Sequence, residues 1–275
     1  MGAEPREIVL GGDGLIGSTL VKELKARGRE VLSFDLKSGV DLRYAKDSLF
    51  DEGDRVWFLA WDTGGAKYIE ATDRQHEMYK HNCELAARVF DALALLNKPF
   101  LFVTSQLAGL PNAYGMTKLL AEHWTLQIGG KLARLWNTYG WEHPDAKSHV
   151  ITDLVLSGLT QGRIKCLTNG EERRRFIYKT DCVDALIELF DGPQRTIDIS
   201  GREWLTIRQV AEGIARQLNV DVEFGAEKGS EIIVDPVNTL PDWQPKVPFE
   251  DGLAMVIDDA RSYLTQNVSQ TATSS

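Results

Sequence analysis

Cysteine is scarce in this sequence, and its placement excludes a disulfide framework. The 275 residues contain three cysteines, Cys83, Cys166 and Cys182, which are odd in number, far apart and without a C-x-x-C pair. This pattern is typical of reduced thiols in a cytosolic protein. No group of Cys, His, Asp and Glu has the spacing of metal ligands, so the sequence predicts no metal site.

Long apolar runs are also missing. The first residues, MGAEPREIVLGG, hold no apolar segment of the length that a signal peptide needs, and nowhere do about 18 apolar residues follow one another. The sequence therefore predicts neither a leader nor a membrane span, and we expect the protein in the cytoplasm.

Basic residues are in the minority. Lys and Arg number 31 against 40 Asp and Glu, which gives a formal net charge of −9. Nucleic acids and anionic membranes bind basic surfaces, so neither is expected as a main partner. The rest of the composition, with 43% hydrophobic and 26% charged residues, is that of a folded globular protein.

A glycine-rich turn is the first feature that indicates a ligand. The β-rich run 7–10 is followed by GGDGLIG at positions 11–17 and by an amphipathic segment to about residue 27, which is the order strand, turn, helix. Glycines permit the tight turn and a close backbone approach, so the N–H groups that open the helix can face a pyrophosphate. The residues expected at this cofactor site are Gly11, Gly14, Leu15, Ile16 and Gly17.

The next strand, 30–34, ends in an acidic residue. Asp35 lies 24 positions after the first glycine of the turn. A carboxylate there accepts both hydroxyls of an adenosine ribose and repels a 2′-phosphate, which favours NAD over NADP, although Lys37 nearby leaves NADP open. Asp41 and Leu42 follow a short loop and are expected at the adenine end of the cofactor.

Strands and helices alternate as far as residue 140. The buried run 55–60 ends at Ala60, where a parallel sheet binds its ligands, and the long helical pattern 72–96 carries one polar exception, Asn82. Ala60 is a candidate for contact with the cofactor. The alternation predicts an α/β fold, a doubly wound (Rossmann) parallel sheet with helices on both faces.

Beyond residue 140 the elements become shorter and less regular. We assign residues 1–140 to an NAD-binding Rossmann domain, to which the chain returns around 182–200. Residues 141–265 mainly form a smaller α/β substrate-binding domain, which ends in a helix predicted over 250–264. The small polar residues 266–275 are predicted to be a disordered tail.

Three side chains near the middle of the chain can perform proton and hydride chemistry. The apolar run 100–103 leads to Ser105, and a helix predicted to open near Asn112 places Tyr114 and Lys118 four residues apart on one face. A cation beside a phenol lowers its pKa, which makes Tyr114 the candidate acid and base. We predict that Ser105, Tyr114 and Lys118 form the catalytic centre.

The order of these motifs resembles a known family. The glycine turn, Ser105, Y-x-x-x-K at Tyr114, N-x-Y-G at Asn137 and R-x-F-I-Y at Arg174 are similar to those of the extended short-chain dehydrogenase/reductases, in the NAD-dependent branch of nucleotide-sugar epimerases and dehydratases. The resemblance covers nearly the whole chain. It implies an NAD domain, a smaller substrate domain, and a homodimer formed by the 72–96 helix and the helix that carries the tyrosine.

The resemblance also implies roles for single residues. The glycine turn would hold NAD, and Asn82 would face the cofactor. Lys118 would bind the nicotinamide ribose and lower the pKa of Tyr114, while Asn137 and Arg174 would hold the substrate diphosphate. Tyr114 would exchange a proton with a sugar hydroxyl, commonly at C4, while hydride passes to NAD.

Two departures from the family pattern narrow the reaction. Dehydratases place an Asp-Glu pair after the serine, but Gln106 and Leu107 stand there, which disfavours 4,6-dehydration. Only nine positions separate Ser105 from Tyr114, so the loop that walls one side of the sugar pocket in the family is trimmed. Gln106 remains a candidate for contact with the substrate.

Two further segments resemble a sub-branch of the family, the GDP-fucose synthases and GDP-mannose 3,5-epimerases. These segments are Gly64-Gly65 and S-H-V-I at 148–151. In the sub-branch a Cys after the serine and a His or Lys transfer protons. Here Gln106 replaces the Cys and cannot act as a base, whereas His149 is a suitable proton carrier or substrate contact, with packing in a surface loop as the other interpretation. Double epimerisation is disfavoured for this reason.

The leading hypothesis is an NAD-dependent enzyme that transfers hydride at C4 of a nucleotide-diphosphate sugar, as a 4-epimerase or a 4-dehydrogenase. A 4-keto nucleotide-sugar reductase is the nearest alternative, and Asp35 favours an epimerase that keeps and recycles its NAD. A non-catalytic NAD-binding sensor or scaffold of the same fold is the alternative from another class. A relative acting on a sugar-free substrate is disfavoured, because a neutral substrate needs no diphosphate clamp of Asn137 and Arg174.

Overall fold

The computed structural model describes residues 5–145 and 147–273, with side chains described as far as residue 267. Its strands are β1 (Glu7–Leu10), β2 (Val31–Phe34), β3 (Arg55–Phe58), β4 (Phe100–Ser105), β5 (Lys131–Leu135), β6 (Asn137–Tyr139), β7 (Arg163–Lys165), β8 (Arg173–Arg174), β9 (Phe176–Tyr178), β10 (Thr196–Ile199), β11 (Leu205–Thr206) and β12 (Asp221–Glu223). Its α-helices are α1 (Leu15–Ala26), α2 (Asp47–Asp51), α3 (Ala66–Ile69), α4 (Gln75–Leu96), α5 (Ala113–Gln127), α6 (Val150–Gln161), α7 (Lys179–Asp191), α8 (Ile207–Leu218) and α9 (Phe249–Thr273).

A parallel sheet of six strands forms the centre of the molecule. Its order is β10-β5-β4-β3-β1-β2, and every neighbouring pair runs parallel. The chain builds outward from β1 to β2 on one side and from β3 to β10 on the other, so the direction of winding reverses between β1 and β3. The predicted α/β fold with a doubly wound sheet is confirmed, and ligands of such sheets bind at the carboxyl ends of the strands where this reversal occurs.

Helices cover both faces of this sheet, because alternate residues of a strand point to opposite faces. Val9 of β1 belongs to the core formed with α1 and α7. Its neighbours Ile8 and Leu10 belong to the core formed with α4 and α5, where Phe58 and Phe102 pack against Phe90. The strand β4 is a buried apolar run that ends in Thr104 and Ser105 at the carboxyl edge of the sheet.

A second apolar core lies outside the sheet. It gathers α6, α8 and α9 with the short strands β7 and β9, and it includes buried side chains such as Val155, Ile164, Val210 and Val256. The short strands pair as β6 with β9, β7 with β12 and β8 with β11. Between β9 and β11 the chain enters the large sheet, where β10 pairs with β5.

The last helix is longer than its sequence pattern indicated. It runs from Phe249 to Thr273, beyond the predicted end at residue 264, so most of the predicted polar tail has helical backbone, and residues 274–275 lie outside the described part. No Gly or Pro follows Gly252, and without either residue nothing in the sequence interrupts the helix. None of the helices described is both long and apolar enough for a membrane span.

Candidate active site

The glycine turn joins β1 to α1, and at Gly11 and Gly17 the surrounding backbone leaves no room for a Cβ atom. Gly11 has φ +90°, and a Cβ there would lie 2.5 Å from the backbone nitrogen of Ala60. A Cβ on Gly17 would overlap the carbonyl oxygen of Gly11. Gly14 caps α1 without a side-chain hydrogen bond, and the first turn of the helix has no acidic residue. The positive end of the helix dipole is therefore open to an anion.

Two acidic residues follow β2 at the same edge of the sheet. The carboxylate of Asp35 accepts backbone hydrogen bonds from Asp13, at 3.1 Å, and from Lys37, at 2.9 Å. Asp41 begins the 3₁₀ turn at 42–44 and is held by the guanidinium of Arg43, whose hydrogen bonds keep the pKa of that carboxyl below its usual value. Asp35 is the carboxylate with only backbone donors, so it is available to ribose hydroxyls.

Replacing Asp35 tests this arrangement. We expect Asp35→Ala to weaken NAD binding by roughly 10- to 100-fold, because charge-assisted hydrogen bonds to the ribose are lost. NADP should lose less, since removal of the carboxylate also removes repulsion of the 2′-phosphate. Titration calorimetry with both dinucleotides measures the difference, and Asp47→Ala on the surface of α2 is the control. An equal loss for NAD and NADP would contradict the ribose role.

A cavity of about 690 Å³ extends from the glycine turn across the carboxyl ends of β1, β3 and β4. Most of the predicted site residues line it: Gly11, Gly14, Leu15, Ile16, Gly17, Asp35, Asp41, Leu42, Ala60, Ser105, Tyr114, Lys118 and His149. Three tryptophans, Trp61, Trp136 and Trp141, also form part of its wall. The glycine turn and Asp35, which are expected to bind a dinucleotide, thus line the same cavity as the candidate reactive residues.

Tyr114 lies at the beginning of α5, close to the end of β4. The amide of Asn112 caps this helix by accepting from the backbone nitrogen of Gly115 at 2.8 Å. The tyrosine side chain is 8% exposed, and it lines the cavity together with the hydroxyl groups of Ser105 and Thr63. Burial raises the pKa of the phenol, while these two hydroxyls act in the opposite direction.

Lys118 is one turn further along α5, but its ammonium does not touch the phenol. Its Nζ donates to the carbonyl oxygen of Val103 at 2.7 Å and lies over the rings of Trp61 and Phe102, at 4.3 and 4.6 Å from their centroids. The distance from Nζ to the ring centroid of Tyr114 is 6.0 Å. Burial holds the pKa of Lys118 well below its ordinary value, which the nearby Glu122 partly offsets.

Two predicted site residues lie beneath the surface rather than on the cavity wall. Asn82 is fully buried, and its amide accepts from the backbone nitrogen of Asp62 at 2.8 Å and donates to the carbonyl of Asp62 at 3.2 Å. It fixes the loop after β3, so any effect on a cofactor passes through that loop. Gln106 is half-buried, and among the described residues its side-chain oxygen has no partner.

The two residues predicted to clamp a diphosphate lie outside the cavity lining. The side chain of Asn137 donates to the carbonyl of Arg175 at 3.3 Å, within the β6–β9 pair. Arg174 donates to two carbonyl oxygens, of Arg173 at 2.8 Å and of Ser230 at 2.6 Å. The irregular segment 224–248 therefore lies against the arginine run, and Arg174 is not in contact with the phenol side of the site.

His149 stands just before α6 and is paired with an acidic residue. Its Nδ1 lies 3.0 Å from both carboxylate oxygens of Glu142, and its backbone nitrogen donates to the same group at 2.6 Å. Both side chains line the cavity. The carboxylate orients the imidazole, so Nε2 is the ring nitrogen left for another partner.

Comparison with known proteins agrees with this geometry. The model of the NAD dependent epimerase/dehydratase family matches residues 8–199. The chain belongs to this family. The match begins in β1 and ends with β10, so it covers the whole parallel sheet. The expectation of NAD as cofactor and the resemblance stated from the motifs are thereby confirmed.

Individual members of the family are distant from this chain. UDP-glucuronic acid decarboxylase 3 of Arabidopsis thaliana is 27% identical over 169 residues, which are 56% of this chain and 49% of that protein. The chain thus spans about half the length of this relative. GDP-mannose 3,5-epimerase 1 of Oryza sativa subsp. indica is 24% identical over 298 residues, 89% of this chain and 79% of the relative.

A solved structure confirms the fold. UDP-glucuronic acid 4-epimerase from Bacillus cereus, in complex with UDP-glucuronic acid and NAD, superimposes with a TM-score of 0.81 at 20% identity, over 94% of this chain and 99% of that one. At this identity the likeness concerns the fold. The proteins compared are named for different reactions, among them an epimerase and a decarboxylase, so the likeness does not select a single reaction.

The residues of this family member fit NAD on their own chemistry. The uncapped amino end of α1 suits a pyrophosphate, and Asp35 suits a ribose. Trp61 lines the cavity with a buried indole N–H that has no partner among the described residues, which leaves one donor for a ligand. Lys118 would bind the ribose nearer to the reacting atoms.

Three residues of the site carry no family motif. Asp62, Thr63 and Lys147 line the cavity, and the Nζ of Lys147 lies 2.6 Å from a carboxylate oxygen of Asp62 across 85 positions of sequence. The sequence held one indication that the loop 62–65 belongs to the site, namely its position at the carboxyl end of a buried strand. Nothing in the sequence indicated Lys147, because its contact with Asp62 exists only in the folded chain.

Proposed function

We propose that this protein transfers hydride at C4 of a nucleotide-diphosphate sugar, as a 4-epimerase or a 4-dehydrogenase. The observation that carries the proposal is the continuity of the cavity. The buried side chain of Tyr114 and that of Ser105 line the same space as the glycine turn and Asp35. A sugar hydroxyl at the phenol would lie within reach of a nicotinamide held by that turn.

Each residue of the phenol site has a defined part in this reaction. NAD held at the glycine turn would supply the hydride acceptor of this reaction. Tyr114 takes the proton of the C4 hydroxyl in oxidation and gives it back in reduction. Ser105 holds the same sugar oxygen. Trp136 and Trp141 limit the access of water and offer apolar faces to the sugar ring.

Arg174 is the member of the arginine run that we assign to the substrate diphosphate. Arg173 forms an ion pair with Glu231 at 2.6 Å, and Arg175 forms one with Asp235 at 2.9 Å. Among the described residues Arg174 has carbonyl acceptors and no ion pair within 4 Å. A guanidinium without a bound carboxylate is the one free to exchange its carbonyl partners for a diphosphate, with Asn137 nearby on β6.

A substrate panel tests the proposed function. The protein is mixed with NAD and with UDP-, GDP-, dTDP- and CDP-sugars in turn, while the near-ultraviolet absorbance of reduced nicotinamide is recorded. A rise with one sugar indicates a dehydrogenase, and a changed sugar without a rise indicates an epimerase. A second assay offers the protein NADH and 4-keto nucleotide sugars. Consumption of NADH there, without any reaction in the first assay, would indicate a reductase. No reaction with any of them would contradict hydride transfer at C4.

The relatives favour a uronic acid as a second candidate substrate. The decarboxylases of Arabidopsis and the epimerase of Bacillus cereus are both named for UDP-glucuronic acid. Oxidation at C4 places a ketone beta to the C6 carboxylate, and such an acid releases CO₂ before the ketone is reduced. If UDP-glucuronic acid reacts, mass spectrometry distinguishes the outcomes: epimerisation keeps the mass, whereas decarboxylation lowers it by one CO₂.

We also propose a homodimer formed through α4 and α5, which pack side by side. Apolar side chains on their outer surface are exposed, among them Tyr79 at 40%, Met116 at 43% and Leu120 at 49%. A charge at such a position would be buried without a partner in the dimer. We therefore expect Leu120→Glu to weaken association by roughly 30-fold or more, measured by sedimentation equilibrium. Leu167→Glu, at an exposed site distant from these helices, should change nothing, and an unaltered mass for both variants would contradict the interface.

A further inference from the structure

The amine of Lys118 lies over the faces of two aromatic rings. Its Nζ is 4.3 Å from the ring centroid of Trp61 and 4.6 Å from that of Phe102. The two rings meet edge to face, with their centroids 5.3 Å apart and an angle of 61° between their planes. Trp61 follows β3, Phe102 lies in β4 and Lys118 lies in α5, so three segments of the chain meet at this point. The rings of Trp61 and Phe102 together form an aromatic cage for the amine.

Hydrogen bonds alone do not hold Lys118 in this place. A protonated lysine has three N–H donors, and among the described residues its Nζ has one acceptor, the carbonyl oxygen of Val103 at 2.7 Å. The face of an aromatic ring attracts a positive charge through its quadrupole and uses no lone pair. Because the side chain lines the cavity, the other N–H groups are left for a ligand while the cage holds the nitrogen.

No carboxylate forms an ion pair with Lys118 in the part of the chain that the structure describes. Glu122, one turn further along α5, is the acid whose charge acts on it. That carboxylate is already bound by Arg134 at 2.7 Å and by the hydroxyl of Thr104 at 2.9 Å. The ring of Tyr114, with its centroid 6.0 Å from Nζ, is further away than either ring of the cage.

The acid next to the cage in the sequence has other partners. Asp62 follows Trp61, and its carboxylate accepts hydrogen bonds from Lys147 at 2.6 Å and from the phenol of Tyr68 at 2.8 Å. The two ring faces, together with the carbonyl group of Val103, are therefore the groups that attract the charge of Lys118 at close range.

Packing, rather than a hydrogen bond, orients the ring of Trp61. Its buried indole N–H has no partner among the described residues. The ring is placed by edge contacts with Phe58, at 6.1 Å between centroids, and with Phe102. The face that it presents to the amine is thus the means by which Trp61 acts on Lys118.

We propose that Trp61 is a positioning residue, whose ring face holds the ammonium of Lys118 at the carboxyl end of β4 and leaves its free N–H groups open to a bound cofactor. This role rests on the proposed function only where it concerns turnover, because the contact exists without a substrate. Among aromatic side chains, tryptophan attracts a cation most strongly. The cage favours the protonated amine and offsets part of the cost of its burial.

Fluorinated tryptophans at position 61 test the contact, because fluorine withdraws electron density from the ring face and hardly changes its shape. Mono-, di- and trifluorotryptophan are introduced at this position alone by suppression of a stop codon. The protonation of Lys118 is followed by NMR of its ¹³C-labelled ε-carbon, whose signal is assigned by its loss in Lys118→Met. We expect the midpoint of this titration to fall with each added fluorine, by roughly 0.5–1.5 pH units in all.

The matched control places the same fluorinated residues at Trp124. This tryptophan lies on the same helix as Lys118, but its ring packs on Phe90, with 5.3 Å between centroids. The midpoint of Lys118 should stay unchanged in this second series. A shift of equal size in both series would overturn the cage, because the effect would then be a general disturbance of the core.

The remaining outcomes separate this inference from the proposed function. A midpoint that does not move with fluorination of Trp61 overturns the cage, whatever the activity. A graded shift without turnover of any nucleotide sugar removes the proposed function and leaves the cage. Calorimetry gives the last readout: the dissociation constant of NAD should rise with pH through the midpoint of Lys118, and this rise should move to lower pH as fluorine is added. An equal weakening of NAD at every pH would overturn the positioning role and indicate a loss of packing.

Discussion

Tyr114→Phe is expected to lower kcat by roughly 10²- to 10⁴-fold, the contribution typical of a general acid or base. The substitution removes one oxygen atom and keeps the ring, which is buried among Tyr68, Ile69, Met78 and Ala113. The fold and the glycine turn should therefore be unaffected, and the dissociation constant of NAD should stay within about twofold. Single-turnover kinetics with the reactive sugar and calorimetry with NAD measure the two effects separately.

The pH dependence of the wild type gives this prediction a second readout. Burial raises the pKa of Tyr114, so at neutral pH the phenol carries its proton. Reduction uses the protonated form and should stay constant until the pH approaches this pKa, above which it falls. Oxidation uses the phenolate and should rise with pH over the same range. Tyr114→Phe should abolish both limbs.

Tyr139→Phe is the matched control for the loss of a phenol oxygen. Tyr139 is equally buried, but its hydroxyl donates to the carbonyl of Phe249 and lies outside the cavity lining. We expect it to cost about 1 kcal/mol of unfolding free energy without changing the pH limbs. Near-full turnover in Tyr114→Phe would remove this residue from the reaction.

The cofactor end of the site was predictable because its geometry is local. Gly11, Gly14 and Gly17 act within one turn, and Asp35 follows from the end of the adjacent strand. Once strands and helices alternate, the parallel sheet brings the carboxyl ends of its strands together. Ser105 and Tyr114 meet for the same reason, since β4 and α5 are consecutive.

The other part of the site depends on contacts between distant segments. Lys147 reaches Asp62 from a loop that no periodic pattern describes. A motif gives the position of a residue in the chain but not the direction of its side chain. Asn82, which was predicted to face the cofactor, binds the backbone of Asp62 instead. Arg174, which was predicted to hold a diphosphate, donates to the carbonyl of Ser230.

The position of Lys118 in the site was predicted from its spacing to Tyr114. Its burial and its lack of a carboxylate partner could be seen only in the folded chain. The side chain is 4% exposed, and its partners are one carbonyl group and two aromatic faces. Glu122, four residues further on α5, already binds Arg134 at 2.7 Å and the hydroxyl of Thr104 at 2.9 Å. Lys118 is thus a buried amine without a carboxylate of its own, and holding a proton there is a cost to folding.

Lys118→Met is therefore expected to have opposite effects on turnover and on stability. Methionine has a similar length and no charge, so the unfolding free energy at neutral pH should rise by roughly 1–4 kcal/mol. Glu122 keeps its partners Arg134 and Thr104 in the variant. Turnover should fall by roughly 10²- to 10³-fold, since a charge fixed near the reacting atoms is lost. Chemical denaturation and steady-state kinetics on the same preparation measure both quantities.

The gain in stability should depend on pH in a defined direction. The pKa of Lys118 is lower in the folded protein than the unfolded value of 10.5, so the unfolded state binds more protons between these two values. The unfolding free energy of the wild type therefore rises with pH in that window, and the penalty for burying the charge is complete below it. The advantage of Lys118→Met should therefore shrink as the pH rises through this window and should disappear as the pH approaches 10.5. The control is Lys67→Met, which removes an exposed lysine paired with Asp153. It should change neither turnover nor the pH dependence of the unfolding free energy. A gain in stability by Lys118→Met that does not depend on pH would contradict the cost of burying a protonated Lys118.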